Sequence, residues 1–257
     1  MRPHDIAADK VSQILVDVAQ AIVLPHFGAL RAEDITEKRP GDLVTVADRQ
    51  AEAAITRQLS SLTPQALIVG EEQTFFDHSL IPQLATAAEA WVVDPIDGTR
   101  NYARTSPDFA MMVAHIRAGR VVESWIYQPV HQLLYQAERG AGVCCNGEPV
   151  RRIHHRTSLV GATSRKLTSS SAEVVLRHTW GACGIDYPKL VMGEIDFLIY
   201  REGNPWDHLP ACLMVEELGG RMASRDGVDY SPGITEPPLT VIPAERWPLV
   251  NASLHQP

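Results

Sequence analysis

Trp91-Val92-Val93-Asp94-Pro95-Ile96-Asp97-Gly98-Thr99 is an apolar run that ends in two carboxylates three residues apart, with glycine and threonine directly behind them. Pro95 has no N–H to give to a ladder and fixes its own φ, so the strand is expected to stop there with both acids held at its end. Hard divalent cations need rigid, closely placed oxygen ligands, and phosphate needs free backbone N–H groups. The stretch offers both: Asp94 and Asp97 for a metal, the amides near Gly98 and Thr99 for an anion. Alone, an Asp-Pro turn is more often only a turn.

The surrounding chain adds to the signal. The apolar run Ala66-Leu67-Ile68-Val69 ends in Gly70-Glu71-Glu72, again carboxylates behind a buried strand. Upstream lies Asp42-Leu43-Val44-Thr45-Val46-Ala47-Asp48; downstream, Trp206-Asp207 precedes an apolar-periodic segment closed by Gly219-Gly220. Thr45 with Asp48, Gly70-Glu71-Glu72, the run from Asp94 to Thr99 and Trp206-Asp207, in this order, resemble the inositol monophosphatase family of Mg²⁺-dependent, lithium-sensitive phosphatases. Cys145-Asn146-Gly147 looks like the family's Asn-Gly hairpin. The likeness runs from about the first helix to Gly220.

The resemblance implies a layered αβαβα sandwich of the sugar-phosphatase type. Periodicity and composition alone support only a mixed α/β or α+β protein. It also implies two to three Mg²⁺ ions. Glu71, Asp94 and the carbonyl of Ile96 would hold the first; Asp94, Asp97 and Asp207 the second; Glu71 would take part in a weaker third. The attacking water would be oriented by Glu71 and the Thr99 hydroxyl, with Asp48 accepting from Thr99 and fixing its rotamer. The amides of Gly98 and Thr99 would hold the phosphate. Read without the family, Asp48 is a first-turn acid favouring the helix dipole, Asp207 an N-cap, and Glu72 a solvent-facing residue or a hydrogen-bond acceptor.

The bulk properties set the frame. The 257 residues suffice for a large core in one domain or two joined lobes, and 45% hydrophobic with 21% charged residues is ordinary for a globular chain. A net charge of −8 argues against nucleic acid as the main partner, since polyanion binding needs a basic stripe. It leaves room for a small phosphorylated substrate, because bound cations invert the local field. The four cysteines form no C-x-x-C pair, so structural zinc is not expected and reduced thiols in the cytoplasm are. Asp5, Asp9, Lys10 and Asp17 interrupt the N-terminus against a signal peptide, and no apolar stretch is long enough to span a bilayer. A homodimer is implied by the resemblance alone.

Along the chain, helical spacing is expected over residues 5–24 and 45–62, with Asp48 in the first turn of the second helix. Strands are expected at 67–69 and 91–93, an antiparallel meander over 109–138, strands at 159–162, 195–200 and 239–242, and a helix over 207–218 with Gly219 at its C′ position. Gly140-Ala141-Gly142 lacks the third glycine of a dinucleotide loop and reads as a turn. His154-His155 reads as a solvated loop, and His208 either lines the site or lies on the surface. The expected division is an N-terminal α+β lobe of residues 1–155 carrying the antiparallel sheet and metal site, and a C-terminal α/β lobe of 156–257 supplying Asp207 and substrate contacts.

Substrate choice rests on finer features. Asn101 followed by Tyr102 resembles the inositol-phosphatase branch, where the 3′-phosphoadenosine branch has Glu. Against that, the family's Gly-Ser/Thr-Ala-Ala segment, which contacts the sugar ring, stands here as Gly181-Ala182-Cys183-Gly184, without the hydroxyl. The acid that contacts inositol aligns near Tyr200-Arg201-Glu202, where Glu202 could serve and Arg201 would suit a second anionic group. Gly98, Thr99, Ala182, Cys183, Arg201, Glu202 and Asp207 are thus the candidate substrate contacts. The leading expectation is a Mg²⁺-dependent phosphomonoesterase acting on a small phosphorylated polyol or sugar, foremost inositol monophosphate. Fructose 1,6-bisphosphate, a 3′-phosphoadenosine nucleotide and histidinol phosphate are its alternatives. A catalytically idle ligand-binding protein on the same scaffold is the non-enzyme alternative.

Overall fold

The computed structural model describes residues 3–152, 158–165 and 174–253. α1 (Pro3–Val18) passes through a π-helical turn at Ala19–Val23 into α2 (Leu24–His26), so helix continues past Pro25. The hairpin β1 (Ile35–Arg39) and β2 (Asp42–Thr45) follows. α3 (Val46–Leu62) starts on a capping box: the Thr45 hydroxyl accepts from the amides of Ala47 and Asp48, and Asp48 accepts from the Thr45 amide.

β3 (Leu67–Gly70) leads into α4 (Glu71–Phe76) and α5 (Leu80–Gln83), then β4 (Glu89–Asp97) and the short α6 (Thr99–Ala103). The expected meander is present as β5 (Ala110–Arg117), β6 (Arg120–Gln128) and β7 (Leu133–Glu138). β8 (Gly142–Cys145) and β9 (Glu148–Pro149) extend it. The remaining elements are β10 (Leu159–Thr163), β11 (Val174–His178), α7 (Cys183–Val191), β12 (Phe197–Ile199), α8 (Pro205–Glu217), β13 (Arg221–Ala223), β14 (Leu239–Val241) and α9 (Trp247–Ser253).

Besides the two-stranded β1-β2 sheet, the described residues form two larger sheets, a seven-stranded one ordered β3-β4-β5-β6-β7-β8-β9 and a five-stranded one ordered β11-β10-β12-β14-β13. Alternation along the strands of the larger sheet divides its side chains between two cores. Trp91, Val93, Met111 and Trp125 pack against Leu15 of α1 and Ile55 and Leu59 of α3. Val92, Met112 and Ile126 point the other way, against Leu190 of α7 and Leu209 and Leu213 of α8. The smaller sheet adds Leu198 and Met222 to that inner core and turns Phe197 and Val241 outward onto Trp247 and Val250 of α9. The layers therefore run helix, sheet, helix, sheet, helix, the expected αβαβα sandwich. α8, between the two sheets, is buried at every position from His208 to Val215, as a helix covered on both faces must be.

One expectation is corrected. The strand does not stop at Pro95 but runs on to Asp97. Asp94 lies opposite Met112 and Asp97 opposite Ala110, so β4 carries one residue more than β5 over that interval. Pro95 sits in this bulge, where the missing N–H breaks no regular ladder. Gly219 takes φ +71° behind α8, and the amides of Gly219 and Gly220 close back on the carbonyls of Glu216 and Val215 at 2.9 and 2.8 Å. The expected lobe boundary at 155/156 and His154-His155 lie outside the described residues. Among the described residues no helix is long and apolar enough to cross a membrane.

Candidate active site

Three elements bring four acids together. Glu71 is the first residue of α4, Asp94 and Asp97 flank the bulge of β4, and Asp207 lies in the first turn of α8. Asp207 is not the N-cap; Asn204 holds that position, and its side-chain amide donates to Asp207 Oδ2 at 3.1 Å. Asp97 Oδ2 accepts from the Gly184 amide at 2.6 Å, at the start of α7. Asp94 is wholly buried, and its Oδ1 has no hydrogen-bond partner among the described residues.

The charges act on one another. Burial, then the nearby charges of Glu71, Asp97 and Asp207, pushes the Asp94 carboxyl well above the usual range. Asp207 is raised by burial and by Asp97 and Glu71. Asp97 is pushed up to about 7, chiefly by burial, with the amides of Gly184 and Cys183 opposing. Such a cluster is costly without a cation. An orphaned carboxylate oxygen among converging acids fits a divalent cation, and the carboxylates of Glu71, Asp94, Asp97 and Asp207 are hard oxygen donors of the kind Mg²⁺ takes.

A protein cation stands beside the cluster. Lys38 of β1 donates from Nζ to Glu71 Oε1 at 2.8 Å and to Glu72 Oε1 at 2.9 Å. Burial opposes its charge, but the two carboxylates prevail and its pKa is raised. Glu72 is therefore a buried acceptor and not solvent-facing; burial and Glu71 push its carboxyl up to about 8. Glu52 of α3 accepts from the amides of Glu72 and Gln73 at 2.8 and 2.9 Å, capping α4 from outside. A Cβ on Gly70 would lie 2.3 Å from the Glu52 carboxyl carbon, so this packing requires the glycine. Neither Lys38 nor Glu52 is anticipated above. Lys38 sits in the charged run Glu37-Lys38-Arg39, which reads as solvated, whereas Glu52 left a signal, lying four residues after Asp48 on the same buried face.

Thr99 opens α6 behind Gly98, which takes φ +85° and whose Cβ would meet that of Ala182 at 2.7 Å. The Thr99 hydroxyl lies 3.1 Å from Asp48 Oδ1 and 3.0 Å from the Ile96 carbonyl. Its one proton serves either acceptor. Asp48 also accepts from the amide and the hydroxyl of Thr45. Burial pushes its carboxyl up to about 7 against these hydrogen bonds.

Next to Asp97 and Asp207 opens a cavity of about 240 Å³ whose wall includes Gly181, Ala182, Cys183, Asp186 and Tyr200. Arg201 and Glu202 also line it but are largely exposed and pair with each other at 3.0 Å. Asp186 is buried, accepting from the Trp180 amide at 2.8 Å and the Tyr200 hydroxyl at 3.1 Å. His208, expected either at the site or on the surface, is wholly buried on the cavity wall. It lies 2.9 Å from the Tyr187 hydroxyl and 2.9 Å from the Glu202 carbonyl, and burial lowers its pKa to about 4. The Cys183 thiol is pushed well up by burial and by Asp207 and Asp97.

Comparison with known proteins agrees with this architecture. The sequence profile of the Inositol monophosphatase family matches residues 7–252. The inositol-1-monophosphatase of Mesorhizobium japonicum is 29% identical over 221 residues, covering 78% of this chain and 79% of that protein. The histidinol-phosphatase of Chlorobaculum parvum is 30% identical over 219 residues, covering 80% and 81%. The crystal structure of the extragenic suppressor protein suhB from Bartonella henselae superposes with a TM-score of 0.79 at 24% identity, over 97% of this chain and 99% of that one. The chain belongs to the inositol monophosphatase family of divalent-metal-dependent phosphoric monoester hydrolases.

Proposed function

We propose that the chain hydrolyses a small phosphorylated polyol, with inositol monophosphate as the leading substrate, using two to three Mg²⁺ ions. The observation that carries this reading is the buried, unpartnered Oδ1 of Asp94 amid Glu71, Asp97 and Asp207. These four acids and the Ile96 carbonyl would hold the ions. When bound, the ions supply Lewis-acid polarisation of the phosphoryl group, an activated water and charge relief on the leaving oxygen. The chain's own work is orientation. Thr99, fixed by Asp48, directs the attacking water together with Glu71, and the amides of Gly98 and Thr99 receive phosphate oxygens. Ala182, Cys183, Arg201, Glu202 and Asp207 would border the leaving alcohol.

Asp186 favours a second substrate reading. Its buried carboxylate makes that wall an acceptor, which suits ring hydroxyls or an ammonium group, so histidinol phosphate is the next candidate. A homodimer and a cytoplasmic location complete the proposal, the latter in keeping with four free thiols. The test is phosphate release from inositol 1-phosphate, histidinol phosphate, fructose 1,6-bisphosphate and 3′-phosphoadenosine 5′-phosphate, with Mg²⁺ and with chelator. Mg²⁺-dependent preference for inositol 1-phosphate supports the leading reading; preference for histidinol phosphate replaces it. Absence of turnover on the whole panel overturns both.

A further inference from the structure

We propose that the metal position between Asp97 and Asp207 is a mixed oxygen–sulfur site, with the Cys183 thiolate joining the aspartates as a further protein ligand and a thiophilic divalent cation such as Zn²⁺, Co²⁺ or Cd²⁺ as its tight-binding occupant. The inference rests on the reading that Asp97 and Asp207 hold a cation, and it adds which cations this chain selects there.

One carboxylate oxygen from each aspartate and the Cys183 sulfur lie within 4.8 Å of one another. Zinc bonds of about 2.0–2.2 Å to oxygen and about 2.3 Å to sulfur put neighbouring ligand atoms on a tetrahedral ion about 3.5 Å apart. A closure of roughly an ångström therefore completes the site. The three ligands come from β4, α7 and α8, and each is held from behind. Gly184, one residue after Cys183, donates its amide to Asp97 Oδ2 at 2.6 Å, so the first turn of α7 fixes the thiol and that carboxylate as a unit. Asn204 holds Asp207 Oδ2 at 3.1 Å. The Tyr200 hydroxyl reaches both Cys183 and Asp186. Such supports orient ligands before the ion arrives.

A separate observation points to a cation at the same place. Asp94, wholly buried, keeps an oxygen without a partner among the described residues, and Asp97 and Asp207 are among the charges that raise its carboxyl. The sulfur then discriminates among cations. Mg²⁺ takes oxygen ligands and makes no use of a thiolate, whereas zinc, cobalt and cadmium gain a strong bond from it. Binding exchanges the thiol proton for the ion, and the proton passes to the buffer.

The test uses the full chain with Cys144→Ser and Cys145→Ser, which removes two partly exposed thiols that do not line the cavity. Co²⁺ titration is expected to give a near-ultraviolet thiolate-to-cobalt charge-transfer band that saturates at one equivalent and disappears in Cys183→Ser. Calorimetry is expected to show Cd²⁺ affinity falling at least about tenfold in Cys183→Ser, while Mn²⁺ binding, followed by the resonance of the free ion, persists. Co²⁺ binding without the band, or equal Cd²⁺ affinity in both chains, overturns the inference while Mn²⁺ binding leaves the carboxylate site standing. If Mn²⁺ also fails to bind, the carboxylate reading falls with it. Should Cys183→Ser not fold, zinc X-ray absorption on the unsubstituted position decides. A sulfur neighbour at about 2.3 Å supports the site, and a shell of nitrogen and oxygen alone overturns it.

Discussion

The Thr99 hydroxyl lies 3.1 Å from Asp48 Oδ1, joining the first turn of one short helix to the first turn of another across fifty-one residues of sequence. Asp48 is held in turn by the amide and hydroxyl of Thr45. When the Thr99 proton goes to Asp48 and not to the Ile96 carbonyl, the hydroxyl's direction is set from two residues away, by a capping box whose local task is to start α3.

Thr99→Val keeps the shape of the side chain and removes this link. Its kcat is expected to fall by about 10²–10⁴, the usual worth of a positioned proton-transfer group, while KM and Mg²⁺ affinity change little. Steady-state kinetics with a Mg²⁺ titration measure both, and a loss confined to KM would assign Thr99 to binding instead.

Asp97→Asn removes one proposed cation ligand but preserves an acceptor for the Gly184 amide. The variant should fold, judged by circular dichroism, and lose roughly 10³-fold or more in kcat/KM, several kcal/mol of lost charge stabilisation. Full retained activity would remove Asp97 from the mechanism.

Lys38→Met deletes the ammonium that bridges Glu71 and Glu72. Removing one partner of a buried ion pair leaves uncompensated charge and costs about 3–5 kcal/mol. The loss should be large in chelator and shrink at saturating Mg²⁺, which neutralises the same acids. Denaturant unfolding under both conditions makes the comparison, and an equal loss in each would mean that Lys38 and the ions act on different charges.

Stability without metal should depend on pH in a defined direction. Asp48 and Asp97 are raised from an ordinary 3.8 to about 7, so the unfolded chain releases these protons first. The metal-free fold loses stability as pH rises from about 4 to about 7, and these groups add no further loss above that. Mg²⁺ binds the deprotonated acids, so the increase in Tm that it causes should be larger at about pH 7.5 than at about pH 5. Equal increases at the two values would contradict the assignment.

Legibility in the sequence followed the distance over which each feature is determined. The strand carrying Asp94 and Asp97, the helix with Asp48 in its first turn and the glycine stop behind α8 are local, and period and turn chemistry give them directly; that Thr45 caps that helix instead of opening it was not read. The bulge at Pro95 was missed because it depends on the register of β5, which the β4 segment alone does not encode. Lys38 and Glu52 reach the acids through pairings thirty-three and twenty residues long, and nothing local marks those partners. Cys183 registered only as part of a familiar segment that lacks its hydroxyl, at Ala182. Its place beside Asp97 and Asp207 emerged only once α7 and α8 were set against the larger sheet.

Asp207 rides on a helix wedged between the two sheets, and Asp97 is tied to the start of the helix beside it. On the ribosome, Glu71, Asp94 and Asp97 emerge long before their fourth partner is made. The emerging chain must hold these acids protonated or exposed until α8 is delivered, so cation uptake by all four is expected only after residue 207 has been made, with β13, β14 and α9 still to come.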